Sequence, residues 1–277
     1  MKAPRARRWL LVATACAALC GAGPVGPRLA HAEPATVTAL ARPSAEHCSP
    51  GPLARFFEAL RGLSERSRQQ HVRVLWLGDS HTAADFLSGA VRSALAERFG
   101  DGGPGFVRIG TRPYRHDGLK VVRDGAWNVD PDPPARRAPQ DDGVFGLAGT
   151  RAVPRGGASF SVQASAPVAG AAQARFELSY QLPSGSSFEL RLGPQRLLVD
   201  RKTAPALTPS GISHLDLVAP LDSQLLLLPR SGEPRLFGLT IEREGAPGLV
   251  LDTAGIDGAR LETPLAWNEA SFVAEVT

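Results

Sequence analysis

Cysteine is scarce in this chain, with three in 277 residues. Cys16 and Cys20 lie in the apolar stretch near the N-terminus, which leaves Cys48 alone beyond it. One cysteine cannot close an internal disulfide, and with no basic neighbour in sequence Cys48 reads as a bystander. Aromatic residues make up only 6%, against 29 glycines and 24 prolines, which favours many turns and short strands. Asparagine occurs only at Asn128 and Asn268, and no histidine follows His214. No His/Cys/Glu cluster has metal-ligand spacing, so no metal and no other cofactor is expected. The glycine-rich run Gly100–Gly105 lacks the Lys-Ser/Thr of a phosphate loop.

The apolar run from Trp9 to about Gly23 is too short for a membrane anchor. It follows a basic stretch (Lys2, Arg5, Arg7, Arg8) and precedes Ala30-His31-Ala32, a small-x-small cleavage site. Residues 1–32 are therefore read as a signal peptide, and the protein is expected to be exported to the periplasm or the extracellular space. Neither Cys16 nor Cys20 follows a convincing leucine-initiated lipobox, so lipid anchoring is the less favoured route. No integral membrane segment is expected after cleavage. The whole chain has 31 basic and 27 acidic residues, net +4. Removing residues 1–32 takes five basic residues and no acid, leaving 26 against 27. The mature chain is thus close to neutral, which argues against nucleic acid as a partner.

Residues 33–50 are rich in Ala, Pro and Ser and read as a linker. Leu53, Phe56, Phe57, Leu60 and Leu63 then recur at helical spacing. Val72–Leu77 is nearly all apolar, as in a parallel strand buried on both faces. Ala84, Leu87, Val91, Leu95 and Phe99 predict a helix over residues 82–99. From 106 to 245 the pattern changes to short runs between Gly/Pro turns, with alternation clearest in Phe176–Tyr180 and Phe188–Leu192. That pattern predicts a β-sandwich or jelly roll. Gly248–Asp252 is a second buried strand leading into a glycine-bearing turn. The expected organisation is a first α/β part at 51–105, a β-sandwich insertion at 106–245 and a second α/β part at 246–277.

The strand Val72–Leu77 runs straight into Gly78-Asp79-Ser80-His81. A serine at the carboxyl end of a strand and the start of a helix suits a nucleophile, because backbone N–H groups there can meet a developing oxyanion. The same three residues also suit an ordinary turn with a helix-capping serine.

With its surroundings, the block resembles the SGNH (GDSL) hydrolase superfamily. The match is nearest the exported branch of peptidoglycan and polysaccharide O-acetylesterases. Gly78-Asp-Ser-His81, followed by Asp85-Phe86, is similar to that branch's first block. Phe99–Phe106 resembles the segment after its first helix, and Asp252–Arg260 resembles its second block. The resemblance covers about 72–106 and 248–269 and is only architectural between. It implies an α/β, flavodoxin-like fold, incomplete here, interrupted by an all-β carbohydrate-binding-like insertion. It also implies Ser80 as nucleophile, with the Ser80 and Gly258 N–H groups as oxyanion donors. Asp79 would organise the turn. His81 would be no more than a supporting residue, since adjacent side chains at a turn diverge. His116 and His214, in the β-rich stretch, read as structural or surface groups.

The superfamily's later blocks, Gly-Thr-Asn-Glu and Asp-x-x-His, do not occur here. Without an oriented base a serine hydroxyl is a weak nucleophile. The expectation is therefore the N-terminal part of a longer serine esterase that removes O-acetyl groups from peptidoglycan or another envelope glycan. The alternative is a non-catalytic glycan-binding envelope protein or an inactive fragment.

Overall fold

The computed structural model describes residues 51, 53–111, 114–130, 142–165, 172–204 and 211–276. The signal segment, the linker and Cys48 lie outside them, as does most of the Asp130–Pro139 loop.

Helix α1 (Ala54–Ser64) leads into strand β1 (Val72–Gly78). A single turn α2 (Ser80–Ala83) and helix α3 (Phe86–Phe99) follow. The next strands are β2 (Gly105–Val107), β3 (Leu119–Asp124), β4 (Trp127–Asp130), β5 (Arg151–Pro154), β6 (Ser159–Ala164) and β7 (Gln173–Gln181). Then come β8 (Ser187–Leu192), β9 (Gln195–Val199), β10 (Ser213–Pro220), β11 (Leu225–Ser231), β12 (Arg235–Arg243) and β13 (Leu249–Gly255). A 3₁₀ turn (Thr263–Ala266) and helix α4 (Glu269–Val276) close the described chain.

The expected α/β, flavodoxin-like class does not hold. Among the described residues 41% are strand and 20% helix. Among the described strands, parallel pairing is confined to β1 and β13, in register from Val72↔Leu249 to Gly78↔Gly255, with one isolated parallel bridge from Asp101 to Leu249. The remaining strands form two antiparallel sheets, β10-β7-β12-β5-β4 with β2 against β12, and β3-β6-β11-β8-β9. The fold is a β-sandwich with a small strand pair and helices attached.

The sandwich forms because its strands alternate. In β8, Phe188, Leu190 and Leu192 are buried and the residues between them are half-exposed. Phe176, Leu178 and Tyr180 of β7 meet them across the core, with Tyr180 edge-on to Phe188 at 5.2 Å. Each such side chain contributes about 1.5–3 kcal/mol on burial. β13 is buried at every position because both its faces are covered. Leu249 and Leu251 pack with Leu63, Val72 and the apolar sides of α1 and α3. Ala254 packs with Phe106 and Ala148 beside the sandwich.

A line of charges on the outer face of the six-stranded sheet joins it to the strand pair and to α4. Arg73 of β1 bonds Asp252 at 2.9 Å and lies 3.4 Å from Glu242, which also takes Arg175 at 2.5 Å. His214 stands between Glu177 (3.2 Å) and Glu275 of α4 (3.1 Å). Those two carboxylates, Glu177 first, push the His214 pKa up to about 10. An unfolded histidine titrates near 6.5. The contribution of this histidine to stability is therefore complete below about pH 6.5 and declines as pH rises through about 10. The melting temperature is expected to fall between pH 7 and 10, and His214→Gln to flatten that slope. An equal slope in both proteins would show that another group is responsible.

Candidate functional site

The two strands that end together, at Gly78 and Gly255, deliver two turns to one edge of the molecule. Ser80 lies two residues beyond the first and Gly258 three beyond the second. The turns are tied to one another, since the Ile256 N–H donates to the Gly78 carbonyl at 2.9 Å. Beside them opens a cleft of about 530 Å³, walled by Leu77, Asp79, Ala254, Ile256, Leu261 and Trp267, among others, though by neither Ser80 nor Gly258. Its wall is mostly apolar, and Leu261 and Leu265 stand exposed beside it.

Ser80 is exposed and begins the α2 turn. Asp79 caps that turn, its Oδ1 accepting the His81 N–H at 2.9 Å. This bond holds the Asp79 carboxyl below the usual carboxylate range. Asp79 therefore organises the turn. The His81 ring leans on the same oxygen at 3.3 Å and is 91% exposed, so it is directed to Asp79 and solvent. Gly255 lets the two turns approach, since a Cβ there would lie 2.1 Å from the Ala83 nitrogen. Gly258 suits its turn by backbone conformation. A Cβ there meets open space, but its φ of +75° is a conformation that side chains disfavour.

The helix expected over residues 82–99 is broken. Asp85, at φ +55°, separates α2 from α3, so only one helical turn stands behind Ser80. Asp85 is buried, accepts two bonds from Arg92 (2.8 and 3.0 Å), one from Ser88 (2.8 Å) and the Asp117 N–H (2.7 Å). Burial raises its pKa, but the Arg92 and Asp117 bonds outweigh this and leave it below the usual range. Arg92 also reaches Thr253 of β13 at 3.2 Å. The backbone beneath Ser80 is thus bolted to the second strand.

Among the described residues no histidine hydrogen-bonds the Ser80 hydroxyl. His71 spans the Arg243 carbonyl and the Gly248 N–H, at 2.9 and 3.1 Å. His116 is buried against the Pro104 and Asp117 carbonyls, and burial, then Arg92, pulls its pKa down to about 4. His214 belongs to the charged line described above. Asn128 lies on β4, and Asn268 caps α4 by accepting the Ser271 N–H at 2.9 Å, so neither amide lines the cleft. Of the aromatics that could stack on sugars, Trp127 and Trp267 are buried and Tyr114 is half-buried. Among the described residues no group of three His, Cys, Asp or Glu side chains is placed to hold a metal ion, and no helix is long and apolar enough to cross a membrane.

The fold and this edge define a β-sandwich protein with an exposed serine turn beside a glycine turn. Comparison with known proteins follows the same outline. No family model and no curated protein matches the chain. Among solved structures it is similar in fold to a peptidoglycan O-acetylesterase, with a TM-score of 0.57, 22% identity and 78% of this chain covered. The chain spans 55% of that esterase's length. The C-terminal CBM6 of a laminarinase from Zobellia galactanivorans (TM-score 0.26, 12% identity, 44% of this chain and 99% of that one) also aligns. So does a non-crystalline cellulose-specific carbohydrate-binding module, CBM28 (0.25, 10%, 53% and 93%).

Proposed function

We propose that this chain carries the nucleophile and oxyanion portion of an exported serine esterase of SGNH type. Its substrate class is an O-acetylated glycan, peptidoglycan first. The observation that carries this reading is the tie between the two turns, the Ile256 N–H donating to the Gly78 carbonyl at 2.9 Å where β1 and β13 end together. Ser80 is exposed on one and the Gly258 N–H lies on the other, with the Gly255 peptide locking them together. Ser80 would attack the acyl carbonyl, and the Ser80 and Gly258 N–H groups would receive the negative charge that develops on its oxygen. Fold likeness to a peptidoglycan O-acetylesterase supports the substrate class. The leader-like residues 1–32 support export to the compartment where that glycan lies.

The test is acetate release from O-acetylated peptidoglycan by the purified chain. Release is expected to rise with protein concentration and to be absent from the same peptidoglycan after mild alkaline de-O-acetylation. No release from the acetylated glycan would remove the esterase reading. One observation favours a second reading, a non-catalytic glycan-binding protein: no histidine among the described residues reaches Ser80. Co-sedimentation with peptidoglycan in the absence of acetate release is the result that reading requires.

A further inference from the structure

Arg108, one residue beyond β2, is buried, with 6% of its surface exposed. Among the described residues no carboxylate lies within ion-pair distance of it. One guanidinium Nη donates to the carbonyl of Gly255, the last residue of β13. The guanidinium carbon sits 5.8 Å from the centre of the Tyr114 ring. Its Nε is buried with no hydrogen-bond partner. Tyr114 and the Asp257 carboxylate are its electrostatic neighbours, and a buried guanidinium without a contact ion pair is costly in stability. A group retained at that cost within one residue of a functional turn calls for a function. Burial lowers the pKa of Arg108 below its ordinary value, yet a guanidinium keeps its proton at neutral pH.

The bond to Gly255 places that charge at a specific peptide. The Gly255–Ile256 peptide is held at both ends, its carbonyl by Arg108 and its N–H by the Gly78 carbonyl at 2.9 Å. Gly78 leads directly to Asp79 and Ser80, and Ile256 leads to Asp257 and Gly258. One peptide therefore fixes the start of both turns. A positive charge in a low-dielectric interior also acts further than it would in water. We infer that Arg108, through the Gly255–Ile256 peptide, makes the edge shared by the Ser80 and Gly258 turns a site for a small tetrahedral oxyanion. It acts as a positioning residue through the Gly255 peptide and supplies the field that favours negative charge there. This rests on the esterase reading and deepens it, by naming the group that polarises the site.

Methylphosphonate, a tetrahedral monoester-like anion, is the probe. Its titration into the ¹⁵N-labelled chain is expected to shift the Ser80 and Gly258 amide resonances. Arg108→Met should weaken that binding at least about tenfold while leaving the melting temperature equal or higher, because an apolar group of similar volume relieves the buried charge. Arg108→Lys should recover part of the binding. If the Met variant does not fold, Arg108→Gln decides, since it keeps a donor but no charge and must also lose binding. Wild-type binding by the charge-free variant, or no shift at these two amides in the wild-type chain, would overturn the assignment. Ser80→Ala keeps its N–H and is expected to retain methylphosphonate binding. Hydrolysis that persists in Ser80→Ala therefore counts against the esterase reading and leaves the anion site standing.

Discussion

Ser80→Ala is expected to lower hydrolysis of p-nitrophenyl acetate by this chain to the background rate, with the melting temperature moved by no more than about two degrees. The two halves of this expectation have separate causes. Ser80 is exposed, and its position in the turn is fixed by the Asp79 carboxylate and by backbone bonds rather than by its own hydroxyl. Surface substitutions of that kind change stability by about 0.5 kcal/mol or less. The Ser80 hydroxyl is, however, the exposed hydroxyl of the turn, that of Thr82 being buried, and it can form a covalent acyl intermediate. Removing a nucleophile typically leaves only the rate enhancement due to binding and oxyanion stabilisation. Background hydrolysis by surface histidines, His81 included, would survive the substitution. An unchanged rate in Ser80→Ala would therefore identify such background and exclude Ser80 as nucleophile.

The parts of the site that were legible in the sequence are those written in glycine and in continuous apolar runs. Val72–Leu77 and Gly248–Asp252 both read as buried strands, and they do pair, but only the second is buried throughout; in the first only Val72 is buried and Leu77 is exposed. Gly258 marked a turn, and its positive φ is a conformation that glycine supplies. The fold class was misread for a physical reason. Buried apolar strands flanked by helical spacing look the same whether two or six of them pair in parallel. Here two pair, and the other strands form antiparallel sheets.

The break at Asp85 was hidden because the spacing from Ala84 to Phe99 runs straight through it. The buried face of α3 includes Ser88, Gly89 and Arg92, while Phe86 and Leu87 are exposed. Hydrophobic periodicity cannot report a face that is buried because its polar groups satisfy one another. Arg108 was illegible for a related reason. An arginine two residues from Phe106 in an apolar run gives no sign in sequence that its charge is buried without a contact ion pair.

The same buried polar face sets the largest expected effect on stability. Asp85→Ala should destabilise the chain by about 3–5 kcal/mol, measured by urea denaturation, because it strands Arg92. Arg92 is itself buried, and Asp85 is its only carboxylate partner at ion-pair distance among the described residues. The substitution also leaves the Asp117 N–H without the oxygen it now bonds and the Ser88 hydroxyl with only the Thr82 carbonyl at 3.2 Å. Asp85 adopts a left-handed backbone conformation that a non-glycine residue holds only when its surroundings enforce it. Alanine would keep that strain and lose the bonds that offset it.

Two further results separate this account from simple loss of packing. The double variant Asp85→Ala/Arg92→Met should cost less than the sum of the two single changes, because it removes the unpaired charge. The acid limb should change as well. The carboxyl of Asp85 titrates below its usual range in the folded chain, so its contribution is present above about pH 4 and is lost as pH falls further. Asp85→Ala should therefore flatten stability against pH below about 4 and leave the alkaline decline attributed to His214 in place. A loss under about 1 kcal/mol, or strict additivity in the double variant, would mean that the turn beneath Ser80 is held by backbone contacts alone. In that case Asp85 would not be the link between the first turn and β13.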